Sequence, residues 1–305
     1  MPGAVSEYIG RFAPTPSGPL HLGSIITALA SFLDARSKNG KWLLRIDDLD
    51  TPRIRPGAID SIFSTLESLG LNWDGEVLYQ SQRQTAYDAA LHKLKDKGLI
   101  FPCRCSRQNT KGKVYPGTCR KRAFSDEGQQ SIRIIARQQE VTLKDLVQDN
   151  FAQDLERDVG DFVVKRADGI IAYHLAVVVD DAYQNITHMV RGADLMDSCP
   201  RQIYLQDVLE LKTPEYAHIP LAVYDNGEKL SKRYEADHAL LDNTPEKVIF
   251  HALEFLGQQP PAELFEAGLE DLMAWGTGNW DLQKVPAQRQ SLPPIQFQNR
   301  KRTGK

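Results

Sequence analysis

The chain lacks several things whose absence narrows its class. No run of about 18 apolar residues occurs, so no membrane-spanning helix is expected. The N-terminus has no basic-then-apolar stretch of the kind that directs secretion. Neither sign of charge dominates: 37 Lys and Arg stand against 40 Asp and Glu, for a net −3. Bulk charge therefore does not advertise nucleic acid, although a local basic face can still bind it. There is no internal repeat and no long low-complexity segment. G-x-G-x-x-G and G-x-x-x-x-G-K-[ST] are also missing, so dinucleotide and P-loop sites lack support.

Cysteine is scarce and unevenly placed. Of four, three (Cys103, Cys105 and Cys119) fall in one short stretch. Cys103 and Cys105 are too close to bridge easily to each other. No disulfide framework is expected, and a reducing compartment such as the cytoplasm fits.

What is present is ordinary globular material: 41% hydrophobic and 25% charged over 305 residues, enough for about two domains with a substantial core. Residues 8–13 read as a strand broken by Pro14, Pro16, Gly18 and Pro19. A helix follows over 22–37, with Ile25, Ile26, Leu29, Phe32 and Leu33 on one face, and Asn39-Gly40 ends it. Residues 42–46 read as a second strand. Strand, loop, helix, strand is a β-α-β unit and predicts a parallel sheet. Helices are predicted over 59–69, 85–97 and 200–211, and strands over 162–165, 186–191 and 219–223. Residues 101–122 look like a small inserted module. Past about 240 the chain reads as helical. From 284 onward it has no acidic residue and reads as a basic, loosely ordered tail.

The most informative stretch is Arg11-Phe-Ala-Pro-Thr-Pro-Ser-Gly-Pro-Leu-His-Leu-Gly-Ser24, between the first strand and the first helix. Ligands of open α/β sheets bind at the carboxyl ends of strands, and a helix N-terminus favours phosphate. Gly23 permits close backbone approach, and His21 can donate to a phosphate oxygen. On spacing alone, a proline-rich loop with an incidental histidine explains the stretch equally well. A second segment, Gly227-Glu-Lys-Leu-Ser-Lys-Arg233, is a polar lysine loop, and such loops are ordinarily just solvated surface. Paired with the first, it makes chemical sense: Lys229 and Lys232 would neutralise charge on a leaving pyrophosphate.

Together these motifs resemble the two signatures of class I aminoacyl-tRNA synthetases. His21-Leu-Gly-Ser24 is similar to His-Ile-Gly-His, and Lys229-Leu-Ser-Lys-Arg233 to Lys-Met-Ser-Lys-Ser. Arg11-Phe-Ala-Pro-Thr-Pro-Ser-Gly18, Arg45-Ile-Asp-Asp-Leu-Asp50, Tyr173-His-Leu-Ala176, Arg191-Gly-Ala-Asp194 and Pro200-Arg-Gln-Ile-Tyr204 narrow the resemblance to the glutamyl branch. It runs over about 8–237. One departure is Ser24 in place of histidine, common in that branch. Another is Asp47, where relatives commonly read Arg-Ile-Glu-Asp.

The resemblance implies a Rossmann-type α/β catalytic domain over 1–240 with the module inserted, a helical region over 241–283 and the tail. Too little chain follows the lysine loop for an anticodon-binding domain. This points to the short paralogues of glutamyl-tRNA synthetase, which activate L-glutamate with Mg-ATP without tRNA. They then transfer it to queuosine at the wobble position of tRNA(Asp). The resemblance assigns catalysis to His21, Lys229 and Lys232, and ATP binding to His21, Gly23, Ser24 and Lys232. It assigns glutamate binding to Arg11, Ala13, Thr15, Asp47, Tyr173 and Arg191. It also implies one structural zinc on Cys103, Cys105, Tyr115 and Cys119; Cys199 is expected to be an inert packed residue. A monomer with no membrane partner is expected. Two other readings are a synthetase-like enzyme with a different acceptor and a non-catalytic RNA-binding relic.

Overall fold

The computed structural model describes residues 7–106, 114–122, 128–137, 140–223 and 244–292. The strand β1 (Ile9–Phe12) leads through the proline loop into the helix α1 (Leu22–Arg36). β2 (Lys41–Ile46) returns parallel to β1, with Ile9 opposite Lys41 and Phe12 opposite Leu44. α2 (Ala58–Ser68) follows, and β3 (Leu78–Tyr79) joins β2 in parallel. The β-α-β unit is thus where the apolar periodicity put it, and Asn39 takes the left-handed φ of 51° that ends α1.

α1 is buried on more than one face. Ile25, Ala28, Leu29, Ala30 and Leu33 are all fully buried, each large one worth about 1.5–3 kcal/mol of apolar transfer. Its two buried polar residues are satisfied: Ser31 Oγ accepts from Trp42 Nε1 at 2.9 Å, and the Asp34 carboxylate accepts from Tyr8, Lys38 and Trp280. Placing a helix with polar residues in the core requires this pairing.

After α3 (Gln84–Asp96) the chain leaves the parallel sheet. β4 (Ile100–Cys103), β5 (Ser131–Ile134), β6 (Glu140–Leu143), β7 (Phe151–Asp154) and β8 (Phe162–Lys165) are all antiparallel, in a β4-β5-β8 sheet and a β6-β7 hairpin. The insertion therefore extends well past the expected 101–122. Its extra strands are four-residue alternations such as Glu-Val-Thr-Leu, too short to stand out from loop.

The helix α4 (Tyr173–Tyr183) returns the chain to the main body. Its Val177-Val178-Val179 run, three β-branched residues, hides it from a propensity reading. β9 (His188–Gly192), α5 (Cys199–Leu209) and β10 (Glu215–Ile219) complete the second half, with β9 and β10 parallel. Thr187 N donates to Ile9 O at 2.9 Å, and Ile9 N donates to Thr187 Oγ1 at 2.8 Å. The parallel strands thus lie in the order β3-β2-β1-β9-β10. The strand expected over 219–223 is split: Pro220, which has no N–H, separates the end of β10 from the two-residue β11 (Leu221–Ala222).

α6 (Pro245–Phe255) and α7 (Leu269–Asn279) pack against α1. Residues 284–292, read from sequence as loose tail, instead continue the fold. Gln290–Ser291 forms β12 and pairs with β11. Among the described residues, no helix is long and apolar enough to cross a membrane.

One core lies around α1, β1, β2 and α6, and a second joins α3, the β4-β5-β8 sheet, α4 and α5. α4 also carries two adjacent buried carboxylates. Asp180 accepts from Gln80 Nε2 (2.9 Å), Arg83 Nε (3.2 Å) and Tyr87 Oη (2.7 Å). Asp181 accepts from Arg11 of β1 (3.1 and 3.3 Å) and Arg45 of β2 (2.5 Å). Burial opposes the Asp181 charge, but the two guanidiniums outweigh it and hold the carboxyl below the usual range. A depressed folded-state value stabilises the fold above the unfolded pKa, near about 3.9, and is lost as pH falls through the folded value. Asp181→Asn should therefore lower the free energy of unfolding by about 3–5 kcal/mol at pH 7, because it leaves buried arginines unmatched. Urea titration measures this, and the gap to wild type should shrink below about pH 4. Equal midpoints at pH 7 would show that the ion cluster does not hold the fold.

Candidate active site

A cleft of about 370 Å³ opens at the carboxyl ends of β1, β2 and β9, the place where parallel sheets bind ligands. The expected residues Arg11, Ala13, Thr15, His21, Gly23, Ser24, Asp47, Tyr173 and Arg191 all line it. They come from four elements and the loops after β1 and β2, and the parallel order of the sheet brings them together. Lys229 and Lys232 lie outside the described residues. The last described residues before that loop include Leu221 and Ala222, which also line the cleft.

His21 is the N-cap of α1. Its Nδ1 accepts from Ser24 N at 3.1 Å, and its Nε2 lies 3.1 Å from Ser24 Oγ. A Cβ on Gly23 would stand 3.3 Å from the imidazole, so glycine leaves room for the ring at the helix start. The positive end of a 15-residue helix thus faces the cleft beside a fixed histidine, a favourable setting for phosphate.

Three arginines and an aspartate form the floor. Arg45 is fully buried and grips Asp47 through Nε at 2.6 Å while its Nη1 reaches Asp181. Burial raises the Asp47 pKa more than Arg45 and Arg11 lower it, so this carboxylate stands to gain from a further cation on its cleft side. Arg11 is matched by Asp181. Arg191, 2% exposed, has no carboxylate partner among the described residues. Its Nε donates to His218 Nε2 (3.1 Å), and its Nη2 donates to Cys199 Sγ and Gln202 Oε1 (both 2.8 Å). Its Nη1 is buried with no partner. A buried guanidinium left with neutral acceptors is strongly disposed to take an anion. Cys199, expected to be inert, is one of those acceptors. Tyr173, 41% exposed, stands on the wall at the start of α4.

Sequence reasoning missed Asp181, His218 and Asp145, which orient these groups from distant positions. Asp181 sits in a helix that propensity hides, and a lone histidine in a strand or a lone aspartate in a connecting segment carries no local signal.

The cysteine stretch closes on itself. The sulfurs of Cys103, Cys105 and Cys119 lie within 4.8 Å of one another. The Tyr115 hydroxyl is 3.4 Å from Cys103 Sγ and 3.7 Å from Cys105 Sγ, and the Cys105 and Cys119 sulfurs are 3.6 Å apart. Edges of a tetrahedron around a metal with bonds of about 2.3 Å are about 3.8 Å, so the three sulfurs are close enough together to bind a metal. Burial raises the Cys103 thiol, but its contacts with the Tyr115 hydroxyl, the Cys105 backbone N–H and Arg133 bring it down to about 7, which favours the thiolate a metal needs. A second cleft of about 640 Å³ shares Thr15, Asp47, Arg53 and Tyr173 with the first, and Cys105, Ser131 and Arg133 form its far wall.

Comparison with known proteins agrees with this geometry. The family profile "tRNA synthetases class I (E and Q), catalytic domain" matches residues 8–264. The chain belongs to this family of class I aminoacyl-tRNA synthetases. Within it, the chain groups with the glutamyl-Q tRNA(Asp) synthetases. That of Ectopseudomonas mendocina is 49% identical, over 93% of this chain and 97% of the relative, and that of Thiobacillus denitrificans is 50% identical, over 91% and 95%. The fold is that of the glutamate-tRNA synthetase of Elizabethkingia anophelis: TM-score 0.80, 24% identity, covering 96% of this chain and 69% of that one.

Gly160 pins the cysteine loop. It pairs with Tyr115 at φ 67°, and a Cβ there would come within 2.6 Å of the Tyr115 backbone N and O. Gly160→Ala should cost about 1–3 kcal/mol by combined strain and clash. Hydrogen exchange should show faster opening at Tyr115 and Cys119; unchanged protection there would count against the pinning role.

Proposed function

We propose that this enzyme activates L-glutamate with Mg-ATP, without tRNA, to glutamyl-adenylate and then transfers the glutamyl group to queuosine at the wobble position of tRNA(Asp). The observation that carries this reading is Arg191: a buried guanidinium with an unpartnered nitrogen, in the same cleft as Asp47 and a histidine-capped helix N-terminus. Glutamate brings two carboxylates and one ammonium. Arg191 and Arg11 face the former, Asp47 the latter, and Ala13, Thr15 and Tyr173 shape the wall. The curated relatives named for this activity support the same substrate and acceptor.

In the first step the α-carboxylate attacks the α-phosphorus of ATP and Mg-pyrophosphate leaves. The nucleophile is already ionised, so no protein base is required, and catalysis is positioning plus charge stabilisation. His21 and the start of α1 hold phosphate oxygens, Gly23 and Ser24 complete the ATP end, and Lys229 and Lys232 act on the leaving pyrophosphate. In the second step a hydroxyl of the cyclopentene ring of queuosine attacks the activated carbonyl and AMP leaves. The second cleft has room for that base beside Asp47 and Tyr173.

The Cys103, Cys105, Tyr115 and Cys119 donors would hold one structural zinc. Bound zinc supplies a cross-link for the loop that walls the second cleft, and it lies outside the adenylate chemistry. The setting this implies is the cytoplasm.

ATP–pyrophosphate exchange should be glutamate-dependent and need no RNA. Labelled glutamate should appear on tRNA(Asp) that carries queuosine and not on tRNA(Asp) lacking it, or on tRNA(Glu). Exchange without transfer points to another acceptor, and no exchange to a relic. Asp47→Asn should weaken glutamate activation by tens-fold, about 2 kcal/mol, in line with a lost hydrogen bond to a charged group. Normal glutamate activation in that variant would place the ammonium elsewhere.

Metal analysis should return about one zinc per chain. Cys105→Ser should reduce transfer to tRNA more than exchange. A metal-free protein that transfers at the wild-type rate would overturn the zinc assignment.

A further inference from the structure

The three buried arginines of the cleft are held in two different ways. Arg11 and Arg45 touch carboxylates, whereas Arg191 is oriented by neutral groups. The strand partner is His218, fully buried on β10 directly opposite Arg191 in the β9-β10 register. Its Nε2 lies 3.1 Å from Arg191 Nε, and its Nδ1 lies 2.5 Å from Asp145 Oδ2. An arginine Nε always carries its proton, so the contact with Arg191 requires a bare lone pair on Nε2. The single imidazole proton must then sit on Nδ1, where the Asp145 carboxylate accepts it. One tautomer satisfies both contacts, and the reverse tautomer satisfies neither.

Asp145 is itself fixed. Its Oδ1 accepts from the backbone N–H groups of Val147 (3.0 Å), Gln148 (2.8 Å) and His218 (3.1 Å). It belongs to the segment between β6 and β7, so the inserted region reaches across to the main sheet here. Burial disfavours the imidazolium and keeps the ring neutral. The result is a rigid but uncharged rest for Arg191. A carboxylate in direct contact would fix the guanidinium equally well, but it would neutralise the charge that a substrate carboxylate needs.

We propose that His218, locked in its Nδ1–H tautomer by Asp145, is a positioning residue that aims Arg191 at a carboxylate of the amino-acid substrate while leaving its positive charge uncompensated. This rests on the reading that the cleft takes glutamate. His218 touches no substrate and acts through Arg191 alone. Its catalytic effect therefore falls on glutamate recognition, with ATP recognition left intact.

The test is ATP–pyrophosphate exchange on the full-length enzyme, with KM measured separately for glutamate and ATP, and thermal midpoints recorded. His218→Leu fills the volume but offers no acceptor. It should raise the glutamate KM by about tenfold or more, the loss expected when a hydrogen bond to a charged group goes, and leave the ATP KM within about twofold. His218→Gln can place an amide oxygen near the old Nε2 position and should recover a glutamate KM within about threefold of wild type. Asp145→Asn, nearly isosteric, presents an N–H₂ to Nδ1 and should drive the proton to Nε2, against Arg191. It should raise the glutamate KM as His218→Leu does. The ¹⁵N shifts of histidine-labelled protein should show Nδ1–H at His218 in wild type and Nε2–H in this variant. If His218→Leu does not fold, Asp145→Asn carries the test alone. A glutamate KM unchanged in Asp145→Asn overturns the proposal, as does an Nε2–H tautomer in wild type or equal impairment of His218→Leu and His218→Gln. Wild-type enzyme without glutamate-dependent exchange overturns the glutamate reading, and this proposal with it.

Discussion

The architecture turns on one carboxylate. Asp181 sits on a helix between two hydrophobic cores and receives Arg11 from the first strand and Arg45 from the second. Two buried guanidiniums side by side would repel each other and find no water. With Asp181 between them they become a fixed pair from which the floor of the cleft is built. Arg45 then has donors left for Asp47, and Asp47 N is tied to the Pro14 carbonyl at 3.0 Å. Loop, strand ends and helix are thereby locked as one unit. The desolvation cost of such a cluster is large, and hydrophobic residues of the same volume would stabilise the fold at least as well. Its retention makes sense if the cluster serves to orient polar groups at the floor of a site.

That cost also separates two ways of using arginine. A guanidinium paired with a carboxylate is a strut, because most of its field is spent inside the protein. A guanidinium supported by an imidazole, a thiol and an amide keeps its field for a ligand. Arg45 is the first kind and Arg191 the second. Arg11 is intermediate, paired with an aspartate that it shares with Arg45. Charge balance in the cleft is thus set by partner choice as much as by the number of arginines, and a ligand with more negative than positive charge fits what remains.

Much of this could be read from the sequence because it is local. The β-α-β start showed itself in periodicity, and the Arg11 to Ser24 loop in its proline and glycine spacing. The cysteine loop was visible because its three sulfurs lie within 17 positions. The extent of the insertion was hidden because four-residue antiparallel strands bury too few side chains to show a period. The helix bearing Asp181 was hidden by its valines, whose strand preference tertiary packing overrides. Pro220 broke a run that read as one strand. At the start of the tail, absence of acidic residues suggested looseness, whereas Gln290 and Ser291 pair with β11; residues 293–305 lie outside the described residues.

Sequence distance has a physical consequence at the cleft. The contacts that orient the cleft close loops of 170, 136 and 73 residues: Arg11 to Asp181, Arg45 to Asp181, and His218 to Asp145. Two of the three close around the inserted region, and the third takes its carboxylate from within it. Each such contact carries the loop-closure entropy of a long separation, a cost that the packing of the intervening chain must offset. The parallel sheet can bring β1, β2 and β9 side by side, but it cannot by itself orient their arginines. That requires the chain between residues 100 and 183 to have folded and returned α4 and Asp145 to the sheet. The inserted region is therefore tied to the cleft: its folding is a condition for Asp145 and Asp181 to reach the groups that orient the arginines.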